Sequence, residues 1–133
     1  MKVAFWDIYN AQLFAKDGKY IPGQPFALEI EYLRSIKKSR LINETINQWK
    51  HIGLRNHPSA QDWAEQLEQT WSDVRASDTL TMIVTENQHA TFLLNGTTLG
   101  TIKDPEFSIA FSSIWLSIKT SRPELRKQLL GAN

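Results

Sequence analysis

The residues with the most chemical potential in this sequence are polar side chains placed among apolar neighbours. Asn10 interrupts a segment rich in aromatic and β-branched residues, and Tyr32 and Arg34 lie at the end of a second apolar segment. A polar group buried in such a segment costs roughly a few kcal/mol unless it finds a hydrogen-bond partner. An arginine at a strand end can also hold a carboxylate through two parallel hydrogen bonds. We therefore treat Asn10, Tyr32 and Arg34 as candidate ligand-binding residues.

A predicted helix supplies two further candidates, Glu44 and Trp49. Each candidate also has a structural interpretation, and both interpretations stay open at this point. Glu44 suits a solvated position beside the apolar stripe of the helix, and Trp49 suits the core. Arg34 suits a surface ion pair with an acid such as Glu31, and we favour the structural interpretation for these residues.

No complete catalytic or metal-binding constellation can be assembled from the sequence. His51, His57 and His89 have no partner at metal-ligand spacing, and there is no cysteine. No serine lies in a G-x-S-x-G motif, and no glycine-rich run is typical of a phosphate-binding loop. The sequence therefore predicts no catalytic residue, no metal and no cofactor.

Length and composition predict one soluble globular domain spanning residues 1–133, with 41% hydrophobic and 22% charged residues. The formal net charge of +1 gives no broad footprint for nucleic acid.

No apolar run approaches the roughly 20 residues that span a bilayer. The N-terminus lacks the features of a signal peptide, which predicts a cytoplasmic protein unless the chain is a mature or trimmed form of a periplasmic one. The oligomeric state stays open.

Apolar periodicity predicts an α+β fold with a mainly antiparallel sheet and helices packed on it. Residues 3–15 are apolar at both odd and even positions, which predicts a long strand covered on both faces. Residues 26–33 alternate and predict a strand with one buried face. The remaining elements are two helices starting near residues 38 and 59, strands over residues 79–85, 90–94 and up to 102, and two helices starting near residues 104 and 121.

Turn and capping signals mark the boundaries of these elements. Asn95-Gly96 predicts a tight hairpin, and Asp104-Pro105 predicts the start of a helix. Two pairs of residues three apart, Ser59 with Asp62 and Ser121 with Glu124, predict helix N-terminal caps.

Several stretches, taken in order, resemble the bacterial chalcone isomerase-like proteins. They are FWDIYNA at residues 5–11, PFAL at 25–28 with YLR at 32–34, FLLNG at 92–96 with DPEF at 104–107, and IWL at 114–116 with TSRPEL at 120–125 and LLG at 129–131. The resemblance implies an open-faced antiparallel sheet with helices layered on one face. It also implies a ligand cleft between the sheet and the helices, as in the fatty-acid-binding relatives of the plant isomerases.

The catalytic pattern of the plant enzymes does not carry over to this sequence. Their arginine lies on a strand that precedes the one matched by residues 3–15. Their asparagine corresponds to about Glu44, and their threonine to about Gln128. Their tyrosine precedes the first helix, where residues 35–40 contain none. Without these groups a developing enolate has no visible source of stabilisation.

The leading hypothesis is therefore a non-catalytic domain that binds a small apolar or amphipathic ligand such as a fatty acid. One alternative is an isomerase or lyase acting on another substrate, with Arg34, Tyr32 or Glu44 as replacement groups. A second alternative is a protein-interaction module with a filled core, which an exposed apolar patch would favour.

Overall fold

A computed structural model describes residues 9–131, and these residues form one sheet and four α-helices. The part of the first predicted strand before residue 9 lies outside the described residues. The elements in chain order are β1 (Tyr9–Ala15), β2 (Phe26–Tyr32), α1 (Lys38–His51), α2 (Ala60–Thr70), β3 (Thr79–Val84), β4 (Ala90–Leu94), β5 (Thr97–Ile102), α3 (Pro105–Leu116) and α4 (Pro123–Leu129).

The sheet has the order β1-β2-β3-β4-β5, and every neighbouring pair is antiparallel. One row of paired residues crosses it from Leu13 through Leu28, Met82 and Phe92 to Gly100. Leu28, Met82 and Phe92 are buried because this row faces the helices. The predicted α+β architecture with an antiparallel sheet is confirmed.

The alternation in β2 sets which face of the sheet becomes the core. Phe26, Leu28, Ile30 and Tyr32 are buried, whereas the intervening positions are more exposed. Successive side chains of a strand point to opposite faces, so these four residues must lie together under the helices. The helix α3 lies innermost in the helical layer, since most of its residues are buried on more than one side.

The strand β1 differs from its prediction because it is an edge strand that pairs with β2 alone. Its residues Tyr9 and Leu13 face the helices, but the ring of Phe14 is 51% exposed on the other face. The two-sided apolar pattern therefore gave a wrong prediction for residues 9–15, since the helices cover this sheet on one face.

The predicted hairpin and the predicted start of α3 are confirmed. Asn95 and Gly96 both have positive φ, of 52° and 84°, as a two-residue turn of this kind requires. The Asp104 carboxylate accepts the backbone N–H of Glu106 at 3.0 Å, and Pro105 occupies the first turn.

Ser59 occupies the N-cap position of α2, as predicted, whereas the cap predicted at Ser121 is wrong. The Ser59 side chain makes no cap hydrogen bond, and the His57 ring accepts the Ser59 N–H through Nδ1 at 3.0 Å. The hydroxyl of Ser121 donates to another helix, and α4 begins two residues later behind Arg122. The Ser121 hydroxyl therefore binds a side chain of α1 instead of the start of α4.

Candidate ligand cleft

A cleft lies between the β1–β2 side of the sheet and the helical layer, and we call it the interlayer cleft. Its free volume is about 510 Å³ when the part open to solvent is included. The space enclosed behind the opening is small, so an occupant must be slender. Its lining comprises Tyr9, Ile30, Tyr32, Leu41, Glu44, Thr45, Gln48, Trp71, Phe111, Ile114, Trp115, Thr120, Ser121 and Arg122.

Helical spacing explains why α1 and α3 provide the walls of the interlayer cleft. Leu41 and Thr45 are one turn apart on α1, and Phe111 and Trp115 are one turn apart on α3, so each pair shares a helix face. Thr45 is buried without cost because its hydroxyl donates to the Leu41 carbonyl at 2.8 Å. The inner walls are therefore largely apolar.

Two tyrosines from neighbouring strands form the sheet side of the interlayer cleft. The rings of Tyr9 and Tyr32 meet edge to face with centroids 6.2 Å apart, and the Trp115 indole N–H donates to the Tyr9 hydroxyl at 2.8 Å. Burial raises the pKa of Tyr32, and burial also raises the pKa of Tyr9. Both phenols are therefore neutral at physiological pH and unsuited to act as phenolate bases.

Four half-exposed side chains form the mouth of the interlayer cleft, whereas its other lining residues are buried. Glu44 and Gln48 come from α1, and Ser121 and Arg122 come from the segment between α3 and α4. The mouth therefore combines a carboxyl group, a guanidinium cation, an amide and a hydroxyl.

Hydrogen bonds connect three of these mouth residues in a chain that we call the latch. The side-chain amide nitrogen of Gln48 donates to the Glu44 carboxylate at 2.8 Å, and the Ser121 hydroxyl donates to the side-chain amide oxygen of Gln48 at 2.8 Å. The latch thus joins α1 to the segment before α4 across the opening. Beside it, Arg122 pairs with Glu124, and this hydrogen bond lowers the pKa of Glu124.

The five residues singled out from the sequence fall in different places. Tyr32 and Glu44 line the interlayer cleft. Trp49 is buried in the core, where its indole N–H donates to the Ala110 carbonyl at 3.1 Å. Arg34 and Asn10 are exposed, and the Asn10 amide donates to Glu31 at 3.4 Å. The structure therefore brings two of the five together.

Sequence reasoning missed Gln48, Ser121, Arg122 and Trp71. Gln48 follows Glu44 by one helical turn, and that spacing could have placed both on one face. Ser121 and Arg122 reach the mouth only through the packing of the α3–α4 segment on α1, which leaves no local signal. Trp71 lies just past the end of α2, as the C-cap residue of that helix.

Two other features, a metal site and a membrane-spanning helix, were sought among the described residues. Between residues 9 and 131, no three histidine, aspartate or glutamate side chains form a group that could hold a metal ion. None of the helices in that range is both long and apolar enough to cross a membrane.

An open-faced antiparallel sheet, helices on one face and a cleft between the layers define the architectural class of this domain. A family model described as chalcone isomerase-like matches residues 2–131, and the chain belongs to this family. A comparison with curated protein sequences found no match.

Among solved structures, the chain is similar to a fatty-acid binding protein of Arabidopsis thaliana, with a TM-score of 0.61 at 9% identity. The match covers 80% of this chain and 55% of the plant protein, so this chain spans about half of that protein's length. At this identity the likeness shows the shared fold.

Proposed function

We propose that this chain is a single, non-catalytic binding domain for a slender amphipathic molecule. Its apolar part lies in the interlayer cleft and its polar head lies at the mouth. The observation that carries the proposal is the division of the cleft lining into buried, largely apolar walls and four half-exposed polar residues. We also propose, from the resemblance in sequence, that the chain belongs to the bacterial branch of the family.

The walls favour an alkyl chain or a similar narrow apolar group. Ile30 on the sheet, Leu41 on α1 and Ile114 on α3 approach the interlayer cleft from three sides. Burial of each methylene group contributes about 0.8 kcal/mol. A medium-length chain therefore gains several times RT before the costs of ordering are subtracted.

The mouth favours a polar head that Arg122 can contact. A carboxylate is the head group that a guanidinium binds best, through two parallel hydrogen bonds. The similar plant protein is described as a fatty-acid binding protein, which makes fatty acids the first ligands to test. Glu44 lies at the same mouth and opposes a second negative charge, so the carboxylate is expected on the Arg122 side.

The rival interpretation as an isomerase or lyase receives less support from the geometry. Tyr32 and Glu44 line the interlayer cleft, but Arg34 is exposed and outside its lining. The two cleft tyrosines have raised pKa values, so neither supplies a base at neutral pH. The interpretation as an interaction module with a filled core is disfavoured by the cleft itself.

A direct test measures fatty-acid binding by the purified chain with isothermal titration calorimetry and thermal unfolding. A ligand at 100 times its Kd stabilises a protein by about 2.7 kcal/mol, which is a clear rise in Tm. We expect saturable binding of one fatty acid per chain. No binding by any acid of medium or long chain would end the proposal.

Two matched variants on α3 locate the binding site. Ile114→Trp replaces an aliphatic side chain in the wall of the interlayer cleft by a bulky indole. Ile109→Trp makes the same change on the same helix, at a side chain that is 58% exposed and outside that lining. We expect Ile114→Trp to abolish binding and Ile109→Trp to leave it unchanged. Equal effects of the two substitutions would place the ligand elsewhere.

A further inference from the structure

One buried hydrogen-bond donor in the wall of the interlayer cleft has no partner. Among the side chains of residues 9–131, the indole Nε1 of Trp71 is the one fully buried nitrogen or oxygen atom without a hydrogen bond. The Trp71 side chain is 6% exposed and lines the interlayer cleft. Buried indole N–H groups usually find a partner, because an unpaired buried donor is unfavourable.

The other described tryptophans show that this chain satisfies such groups elsewhere. Trp49 donates to a backbone carbonyl, Trp63 donates to the Asp104 carboxylate at 2.8 Å, and Trp115 donates to the Tyr9 hydroxyl at 2.8 Å. Three of the four described indoles are therefore paired, and the exception is one that lines the cleft.

The ring of Trp71 is held in place by its neighbours. Its centroid lies 5.5 Å from that of Phe92 and 5.7 Å from that of Phe111, and both contacts are edge to face. The backbone N–H of Trp71 also closes the last turn of α2 on the Leu67 carbonyl at 2.8 Å. These contacts restrict the orientation of the ring, and a donor that is held in place before a ligand arrives costs less to order on binding.

We propose that the ligand of the interlayer cleft carries an acceptor oxygen on its apolar body, a ketone or hydroxyl oxygen that accepts the Trp71 indole N–H. This inference rests on the proposed function and narrows it from amphipathic molecules in general to oxygenated ones. The polar head at the mouth and the mid-chain oxygen then form two separate anchors. A fatty acid without such an oxygen leaves the Trp71 N–H unpaired, so it binds less tightly than an oxygenated fatty acid of the same length.

The test compares octadecanoic acid with a set of oxo-octadecanoic acids that differ in the position of the ketone. Affinities are measured by calorimetry on the full protein and on Trp71→Phe, which keeps an aromatic ring against Phe92 and Phe111 but removes the N–H. For the best oxo acid we expect about tenfold tighter binding than for octadecanoic acid in the unsubstituted protein. We expect this preference to disappear in Trp71→Phe. The control Trp63→Phe removes an indole N–H outside the lining of the cleft, and we expect it to retain the preference.

A second measurement on the unsubstituted protein covers the case in which Trp71→Phe fails to fold. In a ¹⁵N-labelled sample, the indole N–H resonance of Trp71 should move further downfield with the best oxo acid than with octadecanoic acid. Equal affinities for all acids, or a preference that survives in Trp71→Phe, overturn this inference and leave the proposed function intact. Failure of every acid to bind overturns both.

Discussion

Ser121→Ala should speed the entry and exit of a ligand without changing its affinity much. The substitution removes the hydroxyl that joins the latch to Gln48 and leaves the backbone before α4 unchanged. If the latch must open for a ligand to pass, the open form becomes more populated when this hydrogen bond is lost. Because the ligand is bound in the closed form and released through the open form, both rate constants rise together.

The geometry of the latch sets the size of the effect. The Ser121–Gln48 hydrogen bond is 2.8 Å long and partly buried, and a bond of this kind contributes about 1 kcal/mol net. A difference of 1.4 kcal/mol is about tenfold in an equilibrium constant, so 1 kcal/mol is about fivefold. We therefore expect association and dissociation rates to rise about fivefold, with the ratio of the two nearly constant.

Stopped-flow mixing with a fluorescent fatty acid would measure both rates. Ser59→Ala is the matched control, since the Ser59 side chain makes no hydrogen bond to the start of α2. Rates for Ser121→Ala equal to those of Ser59→Ala would show that the latch does not control passage of the ligand. A rise in the dissociation rate alone would show that Ser121 is a ligand contact rather than part of the latch.

Two further predictions concern charge at the mouth and pH. Glu44→Gln removes a negative charge beside the expected carboxylate. The interaction between two partly exposed charges is on the order of 1 kcal/mol, so calorimetry should show about fivefold tighter fatty-acid binding, whereas exposed Glu65→Gln on α2 should have no effect. Burial raises the pKa of Tyr32 and of Tyr9, so the folded state keeps protons that the unfolded state releases above about pH 10. The third tyrosine, Tyr20, is half-exposed, so the test uses a Tyr20→Phe variant. Its stability should be constant up to about pH 10 and fall as pH rises further, and tyrosinate absorbance should appear together with loss of the near-ultraviolet circular dichroism. Absorbance that rises at about pH 10 while this variant is folded would contradict the prediction.

Local sequence patterns predict the elements of this fold well where a single period dominates. The alternation over residues 26–33 gives β2 within one residue, and the change to a helical period gives the start of α1 at Lys38. Gly53 follows the end of α1, and its φ of 97° is the left-handed conformation that favours glycine there. These signals are local, so they depend little on how distant segments pack.

The cleft was less predictable because distant segments build it. Ser121 has a short-range partner in Glu124 by sequence, but its hydroxyl bonds to Gln48 from another helix. Tyr32 and Glu44 were chosen from the sequence and do line the interlayer cleft, whereas Arg122 lies at its mouth by the path of the chain after α3. The unpaired Trp71 donor is visible only when all its neighbours are placed.

The order of the strands gives the two parts of this domain different freedom to change. Three of the four connections between the described strands are direct hairpin links, but the connection from β2 to β3 passes through both α1 and α2. Insertions or repacking within the β2–β3 connection can therefore widen or narrow the interlayer cleft while the register of every hairpin is kept. The sheet stays constant, whereas changes in α1, α2 and the loops around them can produce new ligand preferences.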